Sequence, residues 1–268
     1  MKIKLKAAFL FVVFCAVSRL SADEIAQPLS QAHAHNDYMH QHPLSDALAH
    51  GFCSVEADIH LVNGELLVAH DLAKTTPDRT LQALYLEPLR RLVKKNAGRV
   101  YPHGPEFTLL IDLKTDWPSI YPILRVALTN YADILTTFRG TEKQTNAVVV
   151  IITGNRNRAM FDGETVRYAA FDGELSDLEK NSSAATIPWI SARWSAHFSW
   201  RGIGTMPDQE LQQLRTIVGK AHTQKRRVRF WDAPDNAVAW QTMLATGVDL
   251  INTDDLPGLE KFLKKSAR

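Results

Sequence analysis

The chain has 268 residues, 45% of them hydrophobic and 22% charged, with a formal net charge of +2. That is length and apolar content enough for one well-packed domain, a barrel included, and neither composition nor charge suits a disordered chain. Lysine and arginine are scattered apart from Lys225-Arg226-Arg227 and Lys264-Lys265, short runs that read as solvated surface and make no strong case for nucleic-acid binding.

The opening MKIKLKAAFLFVVFCAVSRLSA carries three lysines, an apolar run from Ala7 to Val17 and then small residues, the layout of a secretory signal peptide. The run is short for a bilayer span. Residues 1–22 are expected to be removed, with cleavage after Ser18 or Ala22, leaving a domain over 23–268 in a periplasmic or secreted protein. Cys15 falls in the leader, where Phe14 before it stands in the place of the small residue that lipidation wants. Cys53 is then alone, so no internal disulfide is expected, and its place before a strand marks it as a small buried apolar residue.

Beyond the leader, strand-like and helix-like segments alternate. Apolar runs fall at 32–35, 54–61 with 66–70, 108–114, 147–153, 168–171, 188–192, 227–232 and 250–253, and helical patterns at 44–50, 81–96, 119–138, 208–224, 236–246 and 257–264. Pro207-Asp208 and Pro234-Asp235 supply helix starts. Eight strand–helix positions predict a single-domain α/β fold, a (β/α)8 TIM barrel. A doubly wound open sheet is the alternative, with no glycine-rich phosphate loop to support it.

A barrel collects its chemistry at the C-terminal ends of its strands. Ser54 to Leu61 alternates, so Glu56, Asp58 and His60 share one face and Val55, Ala57, Ile59 and Leu61 the other. Two carboxylates that close repel unless a cation lies between them, and hard oxygen donors suit Mg²⁺ or Ca²⁺; acids paired with lysine or arginine would satisfy the same pattern. On LLIDLK, Asp112 and Lys114 share a face, and a lysine turned into a barrel needs an anion, either Asp112 or a substrate phosphate. His35 closes the first strand, and His70 ends LLVAHD after an Asn63-Gly64 hairpin turn. His33, His40, His42 and His50 match no zinc spacing and read as loop and helix residues, while His60 reads as a hydrogen-bonded neighbour of the acids. Asn155, Asp172, Arg193 and Asp254 fall at or near strand ends with no role assigned.

A histidine at the end of the first strand, E-x-D on the next and V-x-H-D after a turn resembles the glycerophosphodiester phosphodiesterase and phosphatidylinositol phospholipase C-like superfamily. LLIDLK (Leu109 to Lys114) and GVDLINTD (Gly247 to Asp254) resemble its third and closing strands, so the resemblance spans nearly the whole mature chain. HNDY (His35 to Tyr38), RTLQALYLEPL (Arg79 to Leu89) and RFWDAPD (Arg229 to Asp235) look more like bacterial relatives of the fungal altered-inheritance-of-mitochondria proteins. Spider-venom sphingomyelinase D shows an Asp-Leu-Lys similar to Asp112 to Lys114.

The resemblance implies one divalent cation, Mg²⁺ or Ca²⁺, on Glu56, Asp58 and Asp112, with His35 and His70 as acid and base. Lys114, Asn36 and Trp231 would meet the substrate, a glycerophosphodiester or a phospholipid headgroup; a phospholipid would bring transient contact with a membrane surface. In the superfamily a substrate hydroxyl commonly attacks the phosphorus, giving a cyclic phosphate that is hydrolysed or released. Two positions depart from the glycerophosphodiesterase pattern: Asn36 where an arginine usually follows the first histidine, and Asp112 where glutamate is usual. A barrel that keeps the metal or another ligand without turnover is the second reading.

Overall fold

The computed structural model describes residues 26–180 and 182–266, and the leader with both cleavage positions lies outside them. In chain order the elements are β1 (Leu29–Ala34), α1 (Ser45–Ala49), β2 (Phe52–Val62), β3 (Glu65–Val68), α2 (Glu87–Lys95), β4 (Phe107–Leu113), α3 (Trp117–Thr129), β5 (Thr137–Arg139), β6 (Glu142–Gln144), β7 (Val148–Gly154), β8 (Ala170–Gly173), β9 (Trp189–Arg193), α4 (Asp208–Thr223), β10 (Arg227–Trp231), α5 (Ala237–Ala245), β11 (Ile251–Thr253) and α6 (Leu256–Ser266).

Eight parallel strands follow one another around the sheet in the order β10-β9-β8-β7-β4-β2-β1-β11. A parallel bridge between Arg229 and Leu250 brings its two ends together, so the chain is a TIM-barrel-like α/β fold. Hairpin strand β3 pairs antiparallel with β2 outside this circuit. Asn63 and Gly64 both take the left-handed backbone between them, which a tight two-residue turn requires.

The helices match the sequence pattern except at two places. Pro88 has no N–H to give Leu84, and the turn ahead of α2, Gln82–Leu86, widens to a π-helical one. Helix α3 stops at Thr129 instead of reaching Phe138. Its apolar continuation serves the sheet: Ile134 and Leu135 are buried, Thr136 donates its backbone N–H to Val148, and Thr137–Arg139 forms a small hairpin with β6. After β7 and β8 only short 3-10 turns, Arg158–Phe161 and Leu175–Glu179, stand where a regular barrel has helices. No helix among the described residues is long and apolar enough to cross a membrane.

Strand alternation separates two apolar regions. Val55, Ala57, Ile59, Leu109, Ile111 and Val150 pack outward into the main core with the helices. Leu110, Val149, Ile151, Ala170, Trp189 and Leu250 belong to a smaller cluster inside the sheet circuit. Asp112 lies two residues beyond Leu110 and Asp172 two beyond Ala170, so on these strands the same inward face passes from apolar to acidic toward its C-terminal end. Cys53 is buried and free.

Candidate active site

Parallel register places Asp58 on β2 directly beside Asp112 on β4, and period two puts Glu56 on the same face one step deeper. An oxygen of each of the three carboxylates lies within 4.8 Å of the others. Asp58 is asymmetric. Its Oδ2 is 2.7 Å from the Tyr38 hydroxyl, 2.9 Å from Lys114 Nζ and 3.0 Å from His70 Nδ1, whereas its buried Oδ1 has no partner among the described residues. Burial, then the Asp112 and Glu56 carboxylates, push the Asp58 carboxyl above its ordinary range. An acid with one oxygen fully engaged and the other bare beside two more carboxylates is suited to a hard divalent cation, so Glu56, Asp58 and Asp112 fit the ion the sequence suggested.

Lys114 bridges this cluster, its Nζ 2.9 Å from both Asp112 Oδ2 and Asp58 Oδ2. Burial alone would lower the ammonium's pKa; Asp112 and Asp58 outweigh it and hold Lys114 protonated.

The two histidines stand on separate strand ends in matching arrangements. His35 Nδ1 lies 2.9 Å from Asp254 Oδ1 just beyond β11, and His70 Nδ1 lies 3.0 Å from Asp58 Oδ2. A carboxylate at Nδ1 keeps the proton there and turns Nε2 outward; neither Nε2 has a hydrogen-bond partner among the described residues. For His35, burial works to lower the pKa, but the Asp254 hydrogen bond and charge override it and raise it. Asn36 adopts the left-handed backbone. Its amide nitrogen is 2.9 Å from His35 Nδ1 and 3.5 Å from Asp254 Oδ1, and the Tyr38 hydroxyl, 2.7 Å from both its oxygen and Asp58 Oδ2, has one proton to offer the two. His60 contacts the backbone oxygen of His70 at 3.2 Å.

Beneath the acids lies a buried cation that the motif reading passed over. The Arg229 guanidinium reaches Glu56 Oε2 at 3.2 Å, Asn252 Oδ1 at 3.2 Å, Ser191 Oγ at 3.2 Å and His33 Nε2 at 2.9 Å, with Asp172 Oδ2 at 3.9 Å. Burial pushes Glu56 upward, but Arg229 holds it well below the usual carboxylate range. Burial lowers His33 to about 4, so it is neutral, its Nε2 accepting from Arg229 and its Nδ1 2.7 Å from Ser54 Oγ. His33 is thus a buried residue of β1 and not the loop residue its spacing suggested. The clue was alternation: Arg227, Arg229 and Trp231 share the face of β10 opposite Val228 and Phe230.

A cavity of about 680 Å³ opens over this floor and takes in His35, Asn36, His70, Lys114 and Trp231 together with the three acids. Its far wall, from β7 to β9, carries Arg156, Asp172, Ser191 and Arg193. Arg193 lies 5.4 Å over the Trp231 ring and donates to Asp232 at 2.8 Å.

Residues 22–172 match the AIM6-like phosphodiesterase domain, and residues 227–257 match the glycerophosphoryl diester phosphodiesterase family. The altered inheritance of mitochondria protein 6 of Eremothecium gossypii is 29% identical over 92% of this chain and 72% of its own length. Its homolog from Arthroderma benhamiae is 28% identical over 84% of this chain and 81% of its own. Among solved structures, the glycerophosphodiester phosphodiesterases of Agrobacterium tumefaciens (TM-score 0.53, 15% identity, 88% of this chain and 100% of that one) and Parabacteroides distasonis (0.52, 13%, 91% and 100%) share the fold. A match over more than half its length, from the first strand through β8, shows that this chain belongs to the AIM6-like phosphodiesterase domain family.

Proposed function

We propose that this protein is an exported, metal-dependent phosphodiesterase acting on a glycerophosphodiester or a phospholipid headgroup. The observation that carries the reading is the pair of histidines, each tethered through Nδ1 to its own aspartate, flanking three convergent carboxylates with both Nε2 atoms unengaged. Cleaving a phosphodiester requires a proton removed from the attacking hydroxyl, a proton given to the departing oxygen, and charge on the phosphoryl oxygens to be held. His35 and His70 serve the two proton transfers from separate strand ends, each role contributing roughly 10²–10⁴ in rate. Glu56, Asp58 and Asp112 would hold a Mg²⁺ or Ca²⁺ ion, which would supply Lewis acidity. Lys114 adds fixed positive charge at the same place, and Trp231 lines the pocket.

The test is turnover of glycerophosphodiesters and phospholipids with Mg²⁺, Ca²⁺ or Mn²⁺, with and without chelator. Activity abolished by chelator and restored by one of these ions is expected, with Asp58→Asn binding that ion at least tenfold more weakly. Absence of turnover on all of them, with intact metal binding, would replace the enzyme with a binding barrel. Export is tested separately by the mass of the native N-terminus, expected to begin at Arg19 or Asp23.

A further inference from the structure

We infer that Arg156 is the residue that binds the substrate's phosphoryl anion, reaching it from the wall of the pocket formed by β7 and β8. The inference rests on the phosphodiesterase reading above. Arg156 follows β7, and among the described residues its hydrogen bonds go to backbone oxygens: its Nε donates to Asp172 O at 2.8 Å and its Nη1 to Gly154 O at 3.3 Å. Its nearest carboxylate, Glu174, is 3.9 Å from Nη2, outside hydrogen-bond distance, and largely solvated. The guanidinium is thus fixed at two of its five donors, is only 18% exposed, lines the cavity, and has donors to spare on Nη2.

The same pocket holds the carboxyl groups of Glu56, Asp58, Asp112 and Asp172. A phosphodiester entering it brings one further negative charge in a partly desolvated place, which is costly unless a cation meets it. Arg193 is spent on Asp232. Asn36 brings no charge. Arg156 stands next to the metal-ligand side, because its anchor Gly154 pairs with Leu113 on β4 and backs onto Asp112. Guanidinium geometry matches two phosphoryl oxygens at once.

The experiment is calorimetric titration of sn-glycerol 3-phosphate into the Mg²⁺-saturated full chain, for the natural protein, Arg156→Met and Arg156→Lys, with the Mg²⁺ affinity and melting temperature of each recorded. Arg156→Met is expected to weaken the phosphate ester roughly 10- to 100-fold, as loss of a charge-assisted hydrogen bond does, with Mg²⁺ affinity within about twofold. Arg156→Lys keeps the charge and loses the fork, and falls between. A natural protein that binds no phosphate ester overturns both this inference and the phosphodiesterase reading. Natural protein that binds it, with unchanged affinity in a folded Arg156→Met, overturns the role of Arg156 alone, and an equal loss of Mg²⁺ affinity makes the arginine structural.

Discussion

Gly154 backs directly onto the carboxylate of Asp112: a Cβ added there would overlap Asp112 Oδ1 and press on the backbone of Leu113. Gly154 also sits at φ +75°, where a side chain costs roughly 1–2 kcal/mol. Gly154→Ala should therefore push Asp112 away from Glu56 and Asp58. The expected result is a divalent-ion affinity at least about tenfold weaker, with a stability loss of about 1–3 kcal/mol. Calorimetry and denaturant unfolding measure the two separately, and an unchanged affinity would remove Asp112 from the ligand set.

Arg229 and Glu56 make a second pair whose loss is legible in energy. Both are buried, and Arg229 also faces Asp172. Arg229→Met leaves a buried glutamate without its cation, a change that typically costs about 3–5 kcal/mol. Adding Glu56→Gln removes the stranded charge and should return part of that loss. Urea unfolding of the single and double variants checks it; strictly additive losses would mean the two residues are not coupled.

Much of this site is legible in the sequence. Strand alternation alone placed Glu56 with Asp58 and Asp112 with Lys114, because period two assigns faces without knowledge of the partner strand. What it could not supply was who meets whom across the sheet. The Asp254 partner of His35 lies 219 residues away, and the Arg229 partner of Glu56 lies 173 away; such pairs follow from barrel closure, not from local pattern. Tyr38 falls within HNDY, yet its contact with Asp58 depends on the left-handed turn at Asn36. The α3 overrun to Phe138 failed for a different reason: apolar residues that continue a helical rhythm can equally cover a sheet edge.

Asp37 gives a pH dependence outside the reacting groups. Fully buried, its Oδ2 accepts from Leu44 N at 2.6 Å and Tyr85 Oη at 2.8 Å while Oδ1 has no partner. Burial, with help from the charge of Asp46, pushes its carboxyl from 3.8 up to about 6. Because the folded value is the higher one, this group's contribution to stability is complete below the unfolded value and is lost as pH rises through about 6. At about 1.4 kcal/mol per unit the loss is on the order of 3 kcal/mol. Asn keeps the acceptor and carries no charge, so Asp37→Asn should raise the unfolding free energy at pH 8 much more than at pH 4. Equal changes at the two pH values would show that Asp37 does not titrate in this range.

The two histidines are alike in tether but not in the carboxylate that tethers them, and on the proposed reaction that difference predicts different roles. Asp254 is devoted to His35, with the Asn36 amide alongside, and it raises the pKa of that imidazole despite burial. Asp58 is shared: the Tyr38 hydroxyl and Lys114 Nζ lie within 2.9 Å of the same oxygen that meets His70, and its other oxygen has no hydrogen-bond partner among the described residues. On the proposed reaction, His35, whose proton Asp254 favours, would give it to the departing oxygen, and His70 would be the base. Both alanine variants should lose roughly two to four orders of magnitude on a substrate with an alkoxide leaving group. With a p-nitrophenyl phosphodiester, whose departing oxygen needs no proton, His35→Ala should recover most of its rate while His70→Ala stays impaired. The double variant should be little worse than the weaker single one, since groups that act as a unit are not additive. Recovery of His70→Ala in place of His35→Ala would exchange the two assignments, and near-normal turnover by both variants would make these histidines structural.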